Sequence, residues 1–481
     1  MTANLVKPIP NPDLSAVRHA HFMAVCGAGM SPIAHLMVSR GIVVDGCDRA
    51  ESPSAADLRA DGVGVVTGHD PAHLAGVDTV VVSSAIRADN PELVAARERG
   101  LAVWHRSAAL AALMTGYLGV AVSGTHGKST TSAMIACALR GIDPSFVIGA
   151  ALTTTGKSQW AGRPGGVFVI EADESDGSFL QYAPQVVVVT NVDVDHLDRW
   201  GTVRAYAAGF AELAGGPSVR RAVLSADDPG ASALAAVLRQ PPLTYGEAAS
   251  ADVRLTDIEL SGLTGSATLT WPGGSGRLSL RVPGRHNLSD AAAAVAAALA
   301  LRDLGVDIDM SDVLAALADY RGLARRFQVV GQERGVTLVD DYAHHPAEIR
   351  ASIAAARAAI GPGRRLVACF QPHLFSRTRD FADEFGLALA GADLVYVLDV
   401  YAAREDPIPG VTGDLVARAA RCHGAVVTYV PTLDGAVSAL ATLVGGPVLQ
   451  PGDLIMTLGA GDVTKVAPAL VACFTEDGGD A

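Results

Sequence analysis

Nine consecutive residues, Ser123-Gly124-Thr125-His126-Gly127-Lys128-Ser129-Thr130-Thr131, combine what phosphate binding requires. Two glycines let backbone N–H groups turn inward around phosphate oxygens, Lys128 brings positive charge to β/γ oxygens, and a hydroxyl of Ser129 or Thr130 can ligate magnesium. A β-branched apolar run at 117–122 precedes the loop, and an amphipathic run at 132–139 follows it before Gly141. The order is strand, glycine loop, helix, and the positive helix end faces the phosphates. The loop is the shorter GTxGK form, because Val122 stands at the first glycine position of GxxxxGK[ST]. A second GKS at Gly156-Lys157-Ser158 runs into Gln-Trp-Ala-Gly-Arg-Pro, which cannot open a helix, and is rejected.

Two acidic runs follow. The apolar segment 167–170 ends in Glu171-Ala172-Asp173-Glu174-Ser175-Asp176, and 186–190 ends in Asn191-Val192-Asp193-Val194-Asp195-His196. Both stand at carboxyl ends of expected strands, the edge where ligands bind in open parallel sheets. Alone, such acids would only solvate a loop. Beside a phosphate loop, Glu171 and His196 can converge with Ser129 and Thr130 on a metal-nucleotide, since a hard cation takes oxygen ligands and tolerates one imidazole. Farther on, Arg325 and Arg326 are adjacent, and planar guanidinium forks suit a γ-phosphate. His344 and His345 are also adjacent, but neighbouring side chains diverge and no third ligand is spaced to join them, so substrate orientation is favoured over zinc.

Near the N-terminus, the run 21–25 leads into Cys26-Gly27-Ala28-Gly29-Met30-Ser31-Pro32, with Asp48 after a second apolar run. Pro32 suits a first helical turn but stands where a dinucleotide fingerprint has its third glycine. What survives is a diphosphate site at a helix N-terminus, with an acid for a ribose hydroxyl. NAD or a UDP-sugar would fit equally.

The elements that position these residues follow from pattern. Apolar strands at 21–25, 80–83, 117–122, 167–170, 186–190, 366–370, 394–398 and 454–458 alternate with helical stretches, which predicts parallel α/β sheets. Over 251–282 the sequence alternates polar and apolar residues with Gly and Pro turns, as antiparallel hairpins do, and helical sequence resumes after Asn287. The 481 residues suggest three domains, at 1–117, 118–322 and 323–481. Apolar runs break well before the roughly 20 residues a spanning helix needs. The N-terminal segment lacks a continuous apolar core, so no signal peptide is read and a cytoplasmic location is expected. Six scattered cysteines without a CxxC pair argue against a disulfide framework and a thiolate zinc site. A net charge of −13 argues against a nucleic-acid binder. The acidic tail 475–481 is expected to be disordered.

Together these residues resemble the Mur ligase family over nearly the whole chain. The resemblance rests on GTHGK from Gly124, EADESDGSF from Glu171, NVDVDHLD from Asn191, DDYAHHP from Asp340, FQPHLFSRT from Phe370 and GAGDV from Gly459. It points to the members that add L-alanine to the lactyl carboxylate of UDP-N-acetylmuramate in peptidoglycan precursor synthesis. It implies a Rossmann-like N-terminal domain holding UDP through Gly27, Ala28, Gly29, Met30, Ser31, Asp48, Ser83, Ser84 and Arg106. The implied central domain is a P-loop ATPase-like parallel sheet with added antiparallel strands. ATP would lie against Gly124, Thr125, His126, Gly127, Lys128, Ser129, Thr130, Asn287 and Asp290, and Mg2+ or Mn2+ on Ser129, Thr130, Glu171 and His196. A Rossmann-like C-terminal domain would close on both, with Arg326 at the γ-phosphate, Asp341 at the ribose, and His344, His373 and Arg377 near the reacting groups. Lys128, Glu171, His196, Arg326, His344 and Arg377 form the implied catalytic set, and the general base is left open among His196, His344 and His373.

The implied substrates are UDP-N-acetylmuramate and L-alanine, with no nucleic acid or membrane insertion, in a monomer or homodimer. Three departures stand out. Ala24, Cys26 and Pro32 occupy positions where the family commonly has glycine, and Asp290 replaces the last amide of its HNxxN motif. A carboxylate can only accept, so Asp290 is expected to weaken adenine binding. No lysine lies between 201 and 216, which excludes the carbamylated lysine of some relatives. Alternatives are the related ligase that attaches a whole tripeptide to the same nucleotide, an NAD-dependent oxidoreductase that would leave Lys128 unexplained, and a nucleotide-binding homologue that has lost turnover.

Overall fold

The computed structural model describes residues 5–403 and 405–475, so the acidic tail from 476 onward lies outside the described residues. Three sheets with helices against them give the expected three-domain α/β architecture. The first sheet contains β1 (His19–Met23), β2 (Val43–Asp48), β3 (Gly64–Thr67), β4 (Thr79–Val82) and β5 (Ala102–His105), parallel throughout in the order β3-β2-β1-β4-β5. The winding reverses between β1 and β4, and such a reversal opens a crevice at the strands' carboxyl ends. The loop at 24–30 and the pair Ser83-Ser84 lie there. Side chains alternate along β1: Ala20 and Phe22 enter the core under the helices Ser31–Ser39 and Arg106–Leu113, and Met23 enters a separate cluster with Leu74 and Leu93.

The second sheet comprises β6 (Leu118–Ser123), β7 (Ser145–Val147), β8 (Gln159–Trp160), β9 (Val167–Glu171), β10 (Val186–Val189), β11 (Arg221–Ser225), β12 (Leu243–Gly246), β13 (Val253–Ser261), β14 (Thr264–Trp271) and β15 (Gly274–Leu280). Its order is β15-β14-β13-β12-β11-β10-β6-β9-β7-β8. β6 therefore lies between β9 and β10, with Val122 paired to Glu171 and Ser123 to Val189. The glycine loop and both acidic runs thus leave the sheet side by side. β13 to β15 form the expected meander, joined by two-residue turns.

The third sheet holds β16 (Gln328–Glu333), β17 (Val336–Asp341), β18 (Leu366–Phe370), β19 (Leu394–Val397), β20 (Val427–Tyr429) and β21 (Leu454–Leu458), in the order β16-β17-β21-β18-β19-β20. Only the β16–β17 pair is antiparallel. Period-two alternation fills both faces: Leu366, Ala368 and Phe370 enter one core, and Val367 and Cys369 the other.

The chain divides into two compact units, one built on described residues up to 256 with 268–278 and 289–318, the other on 257–267, 279–288 and 319 onward. The helix after the glycine loop starts at Lys128 rather than 132, because its first turn is polar and carries no apolar periodicity. The helix expected after Asn287 starts at Arg285. Among the described residues no helix is long and apolar enough to cross a membrane.

Candidate functional site

The glycine loop is shaped by two left-handed residues. Gly124 has φ 139°, and a Cβ there would collide with Thr190 Oγ1. Gly127 has φ 81°, and a Cβ would lie 2.9 Å from Asp290 Oδ1. Only glycine meets both demands. Neighbouring strand ends brace the loop: Asn191 Oδ1 accepts from His126 N at 2.8 Å, and Asn191 Nδ2 and Thr190 Oγ1 donate to His126 O at 3.0 and 2.6 Å. Ser129 and Thr130 are buried in the first helical turn. Lys128 curls back, donating from Nζ to Gly124 O at 2.7 Å and Thr125 O at 3.1 Å, and lies 2.9 Å from Glu174 Oε2.

Lys128 is surrounded by acids. Burial works against its charge, but Glu174, Asp173 and Glu171 outweigh burial and raise its pKa. The same charges divide the acids. Burial opposes ionisation of Asp173, yet Arg106 and Lys128 hold it well below the usual carboxylate range. Glu174 is pushed up to about 7, first by burial and then by Asp173, although Lys128 pulls the other way. Of Asp173 and Glu174, Glu174 therefore carries a proton more readily. His196 heads a short helix in the left-handed region at φ 54°, with Nε2 3.6 Å from Glu174 Oε1 and 3.5 Å from Asp195 Oδ2. Such strain persists only where surrounding structure fixes it, and it clusters at functional sites. Glu171 instead turns its Oε2 to Gly149 N at 2.7 Å. Carboxylates, hydroxyls and one imidazole form a donor set of the kind magnesium takes.

Arg106 links this cluster to the N-terminal loop. Its Nη2 donates to Asp173 Oδ2 at 2.9 Å, and a Cβ at Gly29 would lie 3.1 Å from its Nη1. Ser84 Oγ donates to Asp176 and lies 3.2 Å from His105 Nε2. Asp48 braces the loop from below, accepting from Cys26 N at 3.1 Å. Ala24 adopts φ 62°, the conformation that explains why glycine suits this position. Ser83 closes the turn after β4, its carbonyl accepting from Ile86 N.

The second unit gathers the remaining residues. Arg326 lies over the Tyr342 ring at 5.1 Å, and 3.9 Å from Glu348 Oε1. Arg325 serves structure, donating to Gly459 O at 2.7 Å and Gly461 O at 3.1 Å. The two adjacent histidines divide as expected: His345 caps the helix Pro346–Ile360, and His344 packs edge-on to His373, which stacks on Tyr401. His344 Nδ1 lies 3.1 Å from Tyr342 O, and burial, with Arg377, His373 and Arg326 adding to it, lowers its pKa to about 3 despite Glu348. Near physiological pH its imidazole is therefore neutral. Arg377 is 9 % exposed. Asp341 accepts from Phe327 N at 2.9 Å and Ala343 N at 2.8 Å, and burial pushes it up to about 6. Asn287 Nδ2 donates to Pro283 O at 2.6 Å.

Asp290 belongs to the first unit, where its Oδ1 accepts from Thr131 Oγ1 at 2.8 Å. One oxygen of that carboxylate is thus engaged with the loop helix. The roles of Glu174, Asn191 and Tyr206, whose hydroxyl lies 3.0 Å from Thr125 Oγ1, were not singled out from sequence. Glu174 and Asn191 sit inside the acidic runs that did draw notice.

Similarity to known proteins follows the same division. Residues 19–118 match the Mur ligase family catalytic domain, 122–298 the Mur ligase middle domain, and 325–461 the Mur ligase glutamate ligase domain. The chain is 54% identical over 474 residues to the UDP-N-acetylmuramate–L-alanine ligase of Cutibacterium acnes, covering 97% of this chain and 98% of that one. It is 52% identical to that of Kineococcus radiotolerans, covering 95% and 96%. The crystal structure of UDP-N-acetylmuramate-alanine ligase from Thermotoga maritima superposes with TM-score 0.79 at 27% identity, over 95% of this chain and 99% of that one. A murein peptide ligase from Psychrobacter arcticus gives 0.68 at 23% identity, over 95% and 98%. The glycine loop between two acidic strand ends, the N-terminal loop joined to it through Arg106, and these matches along the chain make it a member of the Mur ligase family.

Proposed function

We propose that this chain joins L-alanine to the lactyl carboxylate of UDP-N-acetylmuramate, converting ATP to ADP and phosphate, in the cytoplasmic synthesis of peptidoglycan precursors. The observation that supports the reading is Arg106, which spans from the Gly29 loop to Asp173 beside Lys128 and so joins the N-terminal loop to the glycine loop's acidic neighbours. The relatives at 45–54% identity with near-complete coverage are named for alanine addition, which favours L-alanine over a tripeptide as the amine.

In this reading the lactyl carboxylate attacks the γ-phosphate, ADP leaves, and the alanine amine displaces phosphate from the acyl phosphate to form the amide. Two anions must meet, so positioning and charge neutralisation carry most of the barrier reduction. Gly27, Ala28, Gly29, Met30 and Ser31 hold the UDP phosphates, with Asp48, Ser83, Ser84 and Arg106 around them. Lys128 and Arg326 supply positive charge to the transferring phosphate. Ser129, Thr130, Glu171 and His196 would hold Mg2+, or Mn2+ in its place, which supplies further positive charge at the phosphates. Asn287 and Asp341 shape the nucleotide's surroundings, and His373 and Arg377 orient the reacting groups. His344 acts as a neutral hydrogen-bonding group. His373 is then left to take the proton from the alanine ammonium, because an imidazole on the metal, as His196 would be, has no lone pair free to accept it. The three domains are assigned to 1–117, 118–322 and 323–481.

The test supplies purified protein with ATP, magnesium, UDP-N-acetylmuramate and, separately, L-alanine, glycine, L-serine or the L-alanyl-γ-D-glutamyl-diaminopimelate tripeptide. Mass spectrometry should find the alanyl nucleotide formed fastest, with one ADP per amide. Preferential consumption of the tripeptide, or no amide with any amine, would overturn the reading.

A further inference from the structure

A second chemical cluster lies on the face of the first sheet opposite the helices Ser31–Ser39 and Arg106–Leu113. His21 in β1, Cys47 in β2 and Glu92 in the helix Pro91–Glu98 are 1%, 0% and 0% exposed. One imidazole nitrogen, one sulfur and one carboxylate oxygen from them lie within 4.8 Å of one another. Strand register brings them together: His21 pairs with Asp45 and Met23 with Cys47, so alternate side chains of both strands share this face. The surroundings are otherwise apolar, made by Met23, Leu74, Val77 and Leu93.

Asp45 Oδ1 takes the Nδ1 edge of His21 at 2.5 Å, which aims Nε2 into the cluster. Nε2 makes no hydrogen bond and lies 3.6 Å from Glu92 Oε1. Cys47 Sγ lies 2.9 Å from Glu92 Oε2 and 3.2 Å from His69 Nδ1, and His69 Nδ1 lies 2.8 Å from Glu92 Oε2. His73 Nδ1 takes the other carboxylate oxygen at 2.6 Å. Donor atoms of His21, Cys47 and Glu92 thus converge on one buried point, and His69 Nδ1 lies beside the sulfur and the carboxylate from a fourth segment.

We propose that His21 Nε2, Cys47 Sγ, Glu92 and His69 Nδ1 form a four-coordinate zinc site, with Asp45 and His73 holding His21 and Glu92 from behind. Nitrogen, sulfur and carboxylate ligands in tetrahedral number suit zinc rather than calcium or magnesium. A thiolate and a carboxylate balance the dication, and a neutral site is the form that burial in an apolar layer tolerates. A carboxylate behind a ligating histidine is the usual support of such sites. Zinc bonds of about 2.0–2.3 Å require ligand atoms roughly 3.3–3.8 Å apart. Glu92, Cys47 and His69 stand 2.8 to 3.2 Å apart and must part slightly, and His21 Nε2, 3.6 Å from Glu92 and within 4.8 Å of the sulfur, must move toward them.

The ordinary alternative is an ion network in which Asp45 and Glu92 flank a protonated His21, and it leaves His21 Nε2 without a hydrogen bond of its own. A metal here ties β1, β2, the turn at 69 and the helix Pro91–Glu98 into one piece. It also stiffens Asp48, the next residue after Cys47, which braces the sugar-side loop through Cys26 N. This site is separate from the magnesium ligands of the proposed reaction.

The experiment uses the full chain, stripped with a chelator and titrated with Zn2+ and with Co2+. One zinc should bind per chain and raise the unfolding temperature. Co2+ should give a thiolate charge-transfer band in the near ultraviolet together with intense visible bands of a four-coordinate ion. Cys47→Ser should lose the charge-transfer band, His69→Gln should weaken zinc at least about tenfold, and Cys422→Ser, at an exposed cysteine, should change neither. His69 is the most exposed of the four ligands, with 17% of its side chain accessible, so its variant tests the site even if Cys47→Ser does not fold. Wild-type protein that takes up no stoichiometric zinc, or a cobalt spectrum without the thiolate band, would overturn the proposal.

Discussion

At Glu174 a buried carboxylate competes with Asp173 for one ammonium, and the outcome is measurable as a pH effect on stability. Its folded pKa is raised from 4.5 to about 7, so folding binds its proton more tightly than the unfolded chain does. The stability this proton contributes is complete below about 4.5 and is lost as pH rises through about 7. Glu174→Gln removes the titration, so the difference in urea midpoint between variant and wild type should shift in favour of the variant as pH rises across that window. A difference independent of pH would contradict the assignment. Asp290 makes a second case at this scale. Its bond to Thr131 Oγ1 predicts that Asp290→Ala costs about 1–3 kcal/mol of stability. Asp290→Asn, which keeps an acceptor, should leave the KM for ATP unchanged. A fall in that KM would instead place Asp290 at the adenine edge.

Strand ends explain the loop's shape, because β6 emerges between β9 and β10 and each neighbour contributes a brace. Removing one brace should act on binding before chemistry. Asn191→Ala removes the side-chain acceptor from His126 N–H and one of the two side-chain donors to its C=O, Thr190 Oγ1 being the other, and the KM for ATP is expected to rise about tenfold with a smaller change in kcat. Steady-state kinetics decide it, and a loss confined to kcat would be contrary.

The same elements show what could be read beforehand. The glycine loop, the acidic runs and the parallel sheets were legible because each is a contiguous pattern whose meaning is local. Glu174 was visible only as one acid among four, since nothing in its spacing says that it, and not Glu171, reaches Lys128. The cluster around Cys47 was hidden further. Cysteine spacing argued against a thiolate site, yet its ligands come from four segments that only sheet register and helix packing unite. The bond between Asp290 and Thr131 was hidden for a related reason: the two are 159 residues apart.

The whole molecule places its reactive groups in two units, with Lys128, Glu174 and His196 in one and Arg326, His344 and His373 in the other. If both units act on a single phosphate, their contributions are not independent. Lys128→Ala combined with Arg326→Ala should reduce kcat/KM by less than the product of the single effects, because residues acting as a unit are non-additive. Multiplicative losses would assign them to separate steps.

The central claim is that Lys128 neutralises a triphosphate next to an acid undergoing phosphorylation, and ADP release by wild type and Lys128→Met in the presence of UDP-N-acetylmuramate and L-alanine tests it most directly. The account predicts ADP formation that requires both co-substrates, and a fall in kcat of about 10²–10³ or more in the variant. Equal turnover by the two proteins, or ADP release indifferent to the sugar nucleotide, would contradict it.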